Sequence, residues 1–354
     1  MRTQGQGGEP PVSVVTPFYN TAPYIAECIE SVLAQTHSSF EYLLVDNRST
    51  DGSREIAARY AARDPRIRLI DNAEFVGQLA HFNRALEHVD PASRYVKMVL
   101  ADDVLFPEGL SRLVAAAERD PRTGLVAAYY LHGDRVDGSG LPLGASSVPG
   151  REALRRIFLA PCFLVGTPST VLYRADIVRS RRPFFADRLH ADTEAAYEIL
   201  LDHDLGFVHQ VLSFVRTDNE SISSAARAFF PIGLDNLIVV ERFGRRVLSP
   251  AEFRFVRSRV RREYYGLLGL MALRFPGRPF WDYHRRGLAT IGYALRWHDV
   301  LPWTAAEILH VVLNPENTLR RAWARWHKHA PGPPAEATGY DSPCPLRTSI
   351  RPEA

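Results

Sequence analysis

Residues 95–107 read Tyr-Val-Lys-Met-Val-Leu-Ala-Asp-Asp-Val-Leu-Phe-Pro. An apolar, mostly β-prone run ends abruptly in two carboxylates, Asp102 and Asp103, followed by a short apolar turn and Pro107. The run predicts a buried strand over Tyr95–Leu100. Carboxylates at the carboxyl end of such a strand sit where open α/β sheets bind ligands. Two of them side by side suit a hard divalent cation with a phosphate attached, because such cations take oxygen ligands. Taken alone, the pair fits the start of a solvated loop equally well.

The segments around it repeat the pattern. Val12–Thr16 predicts a strand stopped by Pro17, with Thr21 as an N-cap and Pro23 in the first turn of the next helix. Ile25, Cys28, Ile29, Val32 and Leu33 follow at helical spacing. Tyr42–Val45 is a strand ending in Asp46, and the polar turn Ser49–Ser53 leads into a helix over Arg54–Ala62. Ile67–Ile70 is a strand ending in Asp71 and Asn72, Gly77–Val89 a helix, Pro107–Arg119 a helix and Leu125–Tyr130 a fifth strand. Alternating strands and helices with short connections predict an α/β fold, a mostly parallel sheet flanked by helices. Right-handed crossovers then bring the acidic strand ends at Asp46, Asp71 and Asp102-Asp103 to one edge.

Farther on, residues 133–149 are rich in Gly, Pro and Ser and read as a loop. A short helix over Arg151–Leu159, a strand over Thr170–Tyr173, a helix over Ala195–Leu201 and a strand over Phe207–Leu212 follow. Residues 227–330 are helical in tone, with interruptions at Pro250, Pro276, Pro279, Pro302 and Pro315. The expected division is a flexible lead-in over 1–11 and a catalytic domain over 12–225, made of halves 12–130 and 150–225. A basic helical part over 226–330 and a disordered tail over 331–354 complete it.

The net charge of +3 is too small to argue for nucleic acid, but it is unevenly spread. Residues 226–330 carry 18 Arg and Lys against 8 Asp and Glu, which leaves the rest of the chain at −7. Cys28, Cys162 and Cys344 have neither metal-site nor disulfide spacing, and the first two read as buried thiols of a cytoplasmic protein. The N-terminus lacks the apolar segment of a signal peptide, and no run approaches the ~18–20 apolar residues of a membrane span.

In order, Val14-Val15-Thr16-Pro17-Phe18-Tyr19-Asn20, Leu44-Val45-Asp46-Asn47-Arg48-Ser49-Thr50-Asp51-Gly52-Ser53, Gly77 with Asn83-Arg84-Ala85-Leu86, and Leu100-Ala101-Asp102-Asp103 with Pro107 resemble glycosyltransferase family 2. The resemblance runs over about Val12–Tyr130 and more loosely, through Val165–Thr170, to Ser221. It implies the GT-A fold, a Rossmann-like sheet, here with a helical C-terminal extension. It also implies a nucleotide-diphosphate sugar at the acidic edge and an inverting, non-processive transfer of one sugar to an acceptor hydroxyl.

On this resemblance Thr16, Pro17, Tyr19 and Asn20 lie against the nucleoside, and Asp46 accepts a hydrogen bond from the base. Asn47 stands where many relatives have Asp, which bears on base choice, and Asp46 also fits a cap for the turn at Ser49. Asn72 and Arg84 are candidates for orienting the nucleotide or diphosphate; Arg84 fits a solvated helix position equally well. Asp102 and Asp103 match the DxD-type motif, with Asp102 on the ribose and Asp103 on Mn²⁺ or Mg²⁺. The base that deprotonates the acceptor aligns with Asp192, with Glu194 second; Asp192 also suits a helix N-cap. Ala191 replaces the first Glu of the usual Glu-Asp-x-Asp pattern. His190 reads as structural, and Thr167 and Ser169 as acceptor-cleft residues.

The arginine-rich, aromatic C-terminal segment fits two readings, a helical part packed on the catalytic domain or a surface for an anionic membrane. The second would place the protein at the inner face of a membrane, facing a lipid-linked acceptor; a glycan or small-molecule acceptor remains open. Arg296-Trp297 resembles part of the Gln-x-x-Arg-Trp motif of processive synthases, but Tyr293 occupies the Gln position. Two competing functions are a catalytically inactive nucleotide-sugar or carbohydrate-binding scaffold and a sugar nucleotidyltransferase. The latter would want a Gly-rich basic loop after the first strand, and Pro17–Tyr24 has no Gly, Arg or Lys.

Overall fold

The computed structural model describes residues 8–160, 162–186, 191–217 and 229–313. His190 and the tail from 331 on therefore lie outside the described residues, as do 1–7 of the expected lead-in. Strands β1 (Val12–Phe18), β2 (Phe40–Asp46), β3 (Ile67–Asp71) and β4 (Tyr95–Met98) form a parallel set in the order β3-β2-β1-β4. Successive β1 and β2 side chains serve opposite faces. Val12, Val14, Tyr42 and Leu44 pack on one side with helices α1 (Ile25–Leu33), α2 (Ser53–Ala61) and α4 (Gly109–Ala117). Val15, Leu43 and Val45 pack on the other with α3 (Gln78–Leu86). Burial on both faces explains why these strands read as unbroken apolar runs.

Beyond β4 the parallel pattern stops. The expected fifth strand, β6 (Thr123–His132), does not pair with β4. Strand β9 (Val171–Arg174) enters between them, antiparallel to both. Where β9 begins, the fully buried Lys97 ammonium donates to the carbonyls of Ser169 and Val171 (3.2 Å for the latter). Strand β10 (Asp204–Val215) then pairs parallel with β6 and antiparallel with β5 (Val104–Leu105). Residues 133–149, expected as a plain loop, carry the short strands β7 (Arg135–Asp137) and β8 (Ser147–Val148), which pair with β6 and β10.

Helices α5 (Gly150–Leu159), α6 (Ala175–Ser180) and α7 (Ala191–Leu200) complete the sheet-bearing part. The rest is helical: α8 (Pro231–Val247), α9 (Pro250–Ala272), α10 (Arg278–Ala289) and α11 (Trp297–Leu313). Helix α9 starts in a capping box, with Ser249 and Glu252 satisfying each other's backbone N–H groups. Pro302 does not interrupt its helix as the sequence predicts; it lies near the start of α11, where the chain continues helical past it. Leu237, Phe243, Val256 and Tyr264 of α8 and α9 belong to the same buried cluster as Val15 and Leu43. The helical segment thus extends the core on one face of the sheet. Cys28 is buried as expected, whereas Cys162 is only half-buried.

Candidate active site

The carboxyl ends of β1 and β2 lie in register, Phe18 opposite Asp46, and Asp46 stands opposite Asp71 of β3. Two loops leave this edge and are laced together. The Asn20 side-chain carbonyl accepts from the Thr50 N–H at 2.8 Å, and the Asn20 N–H donates to Ser49 Oγ at 3.1 Å. The Thr21 N–H donates to Ser53 Oγ at 2.7 Å, and the Ala22 N–H to Asp51 Oδ2 at 2.9 Å. Gly52 closes the second loop at φ 94°, in the left-handed region that a side chain would strain. Here Thr21 differs from its expected role. Its carbonyl accepts from Tyr24 and Ile25, and its hydroxyl does not cap α1.

Several residues expected against the nucleotide face inward. Thr16 is fully buried, its hydroxyl 3.1 Å from Tyr42 Oη, because it sits on the core side of β1. Pro17 is buried beside it. Asn47 grips the backbone of Val76, donating to its carbonyl at 2.8 Å and accepting from its N–H at 3.1 Å. Asn72 donates to Asn47 Oδ1 at 2.9 Å and lies 3.0 Å from His81 Nδ1. These amides hold the 72–77 segment against β2 and form the site's wall. Burial pushes the His81 imidazole down to about 4, so it is neutral and accepts at Nδ1. Asp46 accepts from the N–H groups of Arg48 and Ser49, all at 3.1 Å, so the turn-capping reading holds for it. Arg84 pairs with Glu74 at 2.9 Å on an exposed surface, the solvated alternative.

What the wall does present is aromatic. Tyr19 and Phe75 are exposed and touch with ring centroids 4.9 Å apart. Phe75 was not among the sequence candidates; an apolar side chain in the turn Glu74-Phe75-Val76, ahead of Gly77, was its only signal.

The Asp102-Asp103 loop follows β4, and the two carboxylates differ. Asp102 is half-buried; Asp103 is 2% exposed. Asp103 Oδ1 accepts from the Arg216 N–H at 3.1 Å, while Oδ2 is buried without a hydrogen-bond partner. The Ser169 hydroxyl favours the charged carboxylate but makes no well-aligned bond to it; it instead accepts from the Leu100 N–H at 2.9 Å. Thr167 and Ser169, expected in the acceptor cleft, thus include one residue fixed beneath the metal motif. Burial, then the neighbouring Asp102 charge, raise Asp103 well above the usual carboxylate range, and Lys97 behind it only partly offsets this. Such a carboxylate is costly to ionise unless a cation stands at its open oxygen. Among the described residues no group of three or more His, Cys, Asp or Glu side chains surrounds a common point. One or two carboxylates with phosphate oxygens and water remain a sufficient donor set for Mg²⁺-type ions, so the residues present fit a divalent cation that arrives with a diphosphate.

Arg216, at the end of β10, is the second residue that sequence reasoning missed. Its Nε donates to the Asp102 carbonyl at 3.1 Å, and its guanidinium pairs with Glu27 at 2.8 Å and lies 4.8 Å from the Tyr24 ring centroid. It also borders a cavity of about 630 Å³, lined as well by Tyr24, His132, Asp134, Arg135 and Phe214. A single Arg after a long strand gives no motif; only the fold brings it to the carboxylate pair.

Asp192 and Glu194 sit in the first turn of α7 and have different surroundings. Asp192 is half-buried, its Oδ1 accepting from the Thr193 N–H at 2.8 Å, and its charge is felt by Tyr130 and Tyr173 on β6 and β9. Glu194 is buried and pairs with Arg242 of α8 at 2.5 Å. The Glu194 carboxylate is thus committed to the Arg242 guanidinium, whereas Asp192 stands half-buried at the helix start.

Residues 13–181 match the family model described as Glycosyl transferase family 2. EpsE of Bacillus subtilis (strain 168), named as a glycosyltransferase, is 30% identical over 249 residues, 68% of this chain and 84% of that protein. Glycosyltransferase GlyG of Streptococcus pneumoniae is 30% identical over 128 residues, 36% of this chain but only 42% of its own length. Among solved structures, S. aureus TarS 1-349 in complex with UDP-GlcNAc superposes with a TM-score of 0.57 at 18% identity, over 79% of this chain and 81% of that one. The mannosyltransferase PcManGT from Pyrobaculum calidifontis, in complex with GDP-Man and Mn²⁺, gives 0.50 at 19% identity, over 87% and 82%. At these identities the two structures establish the GT-A fold.

Proposed function

This chain belongs to glycosyl transferase family 2 and is a glycosyltransferase, and from that premise we propose that it transfers one sugar from a nucleotide-diphosphate sugar to an acceptor hydroxyl with inversion. The observation that carries the reading is the buried Asp103 carboxylate, with one unsatisfied oxygen at the sheet edge where the nucleotide loops converge. The sugar nucleotides in TarS and PcManGT support the donor class.

The exposed Tyr19–Phe75 pair offers the base a stacking surface, and Asp46 keeps acceptor capacity beyond its two backbone donors. Asp102 takes the ribose hydroxyls. Asp103 Oδ2 would hold Mn²⁺ or Mg²⁺, whose charge stabilises a leaving nucleoside diphosphate. The acceptor oxygen bonds to the anomeric carbon as the bond to the diphosphate oxygen breaks. The hydroxyl proton passes to a carboxylate oxygen of Asp192. Arg216 fixes the Asp102-Asp103 loop by its N–H and Nε and leaves its guanidinium beside the cavity. No helix among the described residues is long and apolar enough to cross a membrane. The catalytic part is proposed to span 12–225 and the helical part 226–330.

A panel of nucleotide sugars, with and without Mn²⁺ and with released nucleotide as the readout, tests this reading. Asp103→Ala abolishes metal-dependent donor binding. Asp192→Asn leaves donor binding intact and lowers turnover by at least ~10²-fold, the typical contribution of a positioned base. Metal-independent donor binding in the wild type, or near-normal turnover by Asp192→Asn, contradicts the assignment.

A further inference from the structure

Away from the candidate active site, helices α9 and α11 enclose an open cavity of about 560 Å³. Its floor is one face of α9, where Arg254, Arg257, Arg261 and Arg262 recur at helical spacing. Tyr265 and Trp303 form apolar walls. Asp299 is the acidic side chain on the rim. Of the four guanidinium groups, Arg257 is neutralised by Glu241 of α8 at 2.6 Å. Among the described residues, Arg254, Arg261 and Arg262 have no carboxylate within ion-pair distance; Arg261 instead stacks over Tyr265 and Tyr293, centroids 5.4 and 5.3 Å away.

Three like charges held within two turns repel one another, and an ordinary solvated basic face interleaves acids to relieve this. Here the rings of Tyr265 and Tyr293 fix the plane of the Arg261 guanidinium, and the exposed Arg254 and Arg262 stand beside it on the same cavity. A preset planar fork with two further guanidinium groups around a concavity matches phosphate oxygens, to which Arg bonds in bidentate fashion. We propose that this cavity is a second anion site, which takes the phosphate of an organic phosphate ester or diester and rests the organic part on Trp303 and Tyr265. The cavity is one helix removed from the acceptor side: Glu241, the partner of Arg257, adjoins Arg242, the partner of Glu194 on α7. The ligand class does not depend on the proposed reaction. Two sources share this chemistry. One is a soluble phosphate ester. The other is a phospholipid headgroup, since the solvent side of α11 exposes Trp297, Leu301, Leu309 and Leu313 at multiples of four residues.

The test uses the full chain without divalent metal. Inorganic pyrophosphate is titrated by calorimetry, and phosphatidylcholine vesicles with and without phosphatidylglycerol are tested by co-sedimentation. The variants are Arg254→Gln with Arg262→Gln, both exposed, and separately Arg261→Gln. Arg278→Gln with Arg286→Gln removes equal charge outside the cavity and serves as the control. Pyrophosphate binding that weakens at least tenfold in the cavity variants but not in the control supports the site with a soluble source. Phosphatidylglycerol-dependent sedimentation lost in the same pattern supports the lipid source. If the wild type binds neither probe, or the control loses as much as the cavity variants, the proposal is overturned. Because sugar transfer is not the readout, failure here leaves the proposed reaction untouched.

Discussion

Asp192 and Glu194 read alike in sequence, as two acids opening a helix, and the fold separates them. Glu194 is buried against Arg242 at 2.5 Å, so removing its charge strands a guanidinium at the α7–α8 contact. Breaking one side of a buried pair costs several kcal/mol, and the half-exposed Arg242 reduces this to about 2 kcal/mol. Glu194→Gln is therefore expected to lower the urea midpoint with little effect on turnover of the folded enzyme. Asp192→Asn should do the reverse. Equal loss of turnover in both, at equal stability, would return Glu194 to the chemistry. The carboxylate motifs were legible as residue types at strand ends. Their protonation and partners were not, because those depend on Arg216, 113 residues from Asp103, on Ser169, 69 residues from Leu100, and on Lys97 of β4 itself. Asn47 and Asn72 show the same limit: amides that look ligand-facing in sequence turn inward to bind Val76 and His81.

At the scale of elements, strands β1–β4 and their helices were readable because each is a local apolar run with its own punctuation. The insertion of β9 between β4 and β6 was not, since antiparallel pairing across so long a separation leaves no periodic trace. Helix α5 shows how tightly such elements are then fixed. Its first residue, Gly150, donates to Asp204 Oδ1 at 3.2 Å, and a Cβ there would stand 1.9 Å from the His203 carbonyl and 2.2 Å from that of Leu200. Those atoms are backbone at the end of α7 and cannot swing away. Gly150→Ala should cost roughly 3 kcal/mol or more and displace the helix that carries Asp192. Gly77, before α3, has an ordinary φ of −60° and open space around its Cβ position. Gly77→Ala should leave the melting temperature within a degree or two; calorimetry of the two variants side by side checks both expectations.

At the scale of the whole molecule, one buried cluster runs from Val15 of β1 to Leu288 of α10, so the sheet and the C-terminal helices share a core. Two neutral histidines lie deep at its two ends. His81 is 2% exposed beside Asn72, and His284 is fully buried, 3.1 Å from Tyr264 Oη. Burial pushes both imidazoles from 6.5 down to about 4. Between these values the unfolded chain binds protons that the folded chain refuses, so stability rises with pH there. The contribution is complete above about pH 6.5 and is lost as pH falls toward 4, worth up to roughly 3 kcal/mol for each histidine. Below pH 6.5 the histidines lower the urea midpoint, while the raised Asp103 carboxyl, which holds its proton more readily in the folded chain, acts in the opposite sense up to about pH 7. The histidine part is therefore read by difference: His284→Gln should make the midpoint fall less steeply with acid than in the wild type between pH 6.5 and 5. Because the core is shared, the change should appear in the single transition that also reports β1–β4, not in a separate early step. A His284→Gln midpoint that falls between pH 6.5 and 5 as steeply as the wild type's would remove the histidine assignment, and an effect confined to a distinct helical transition would show that the two ends do not unfold together.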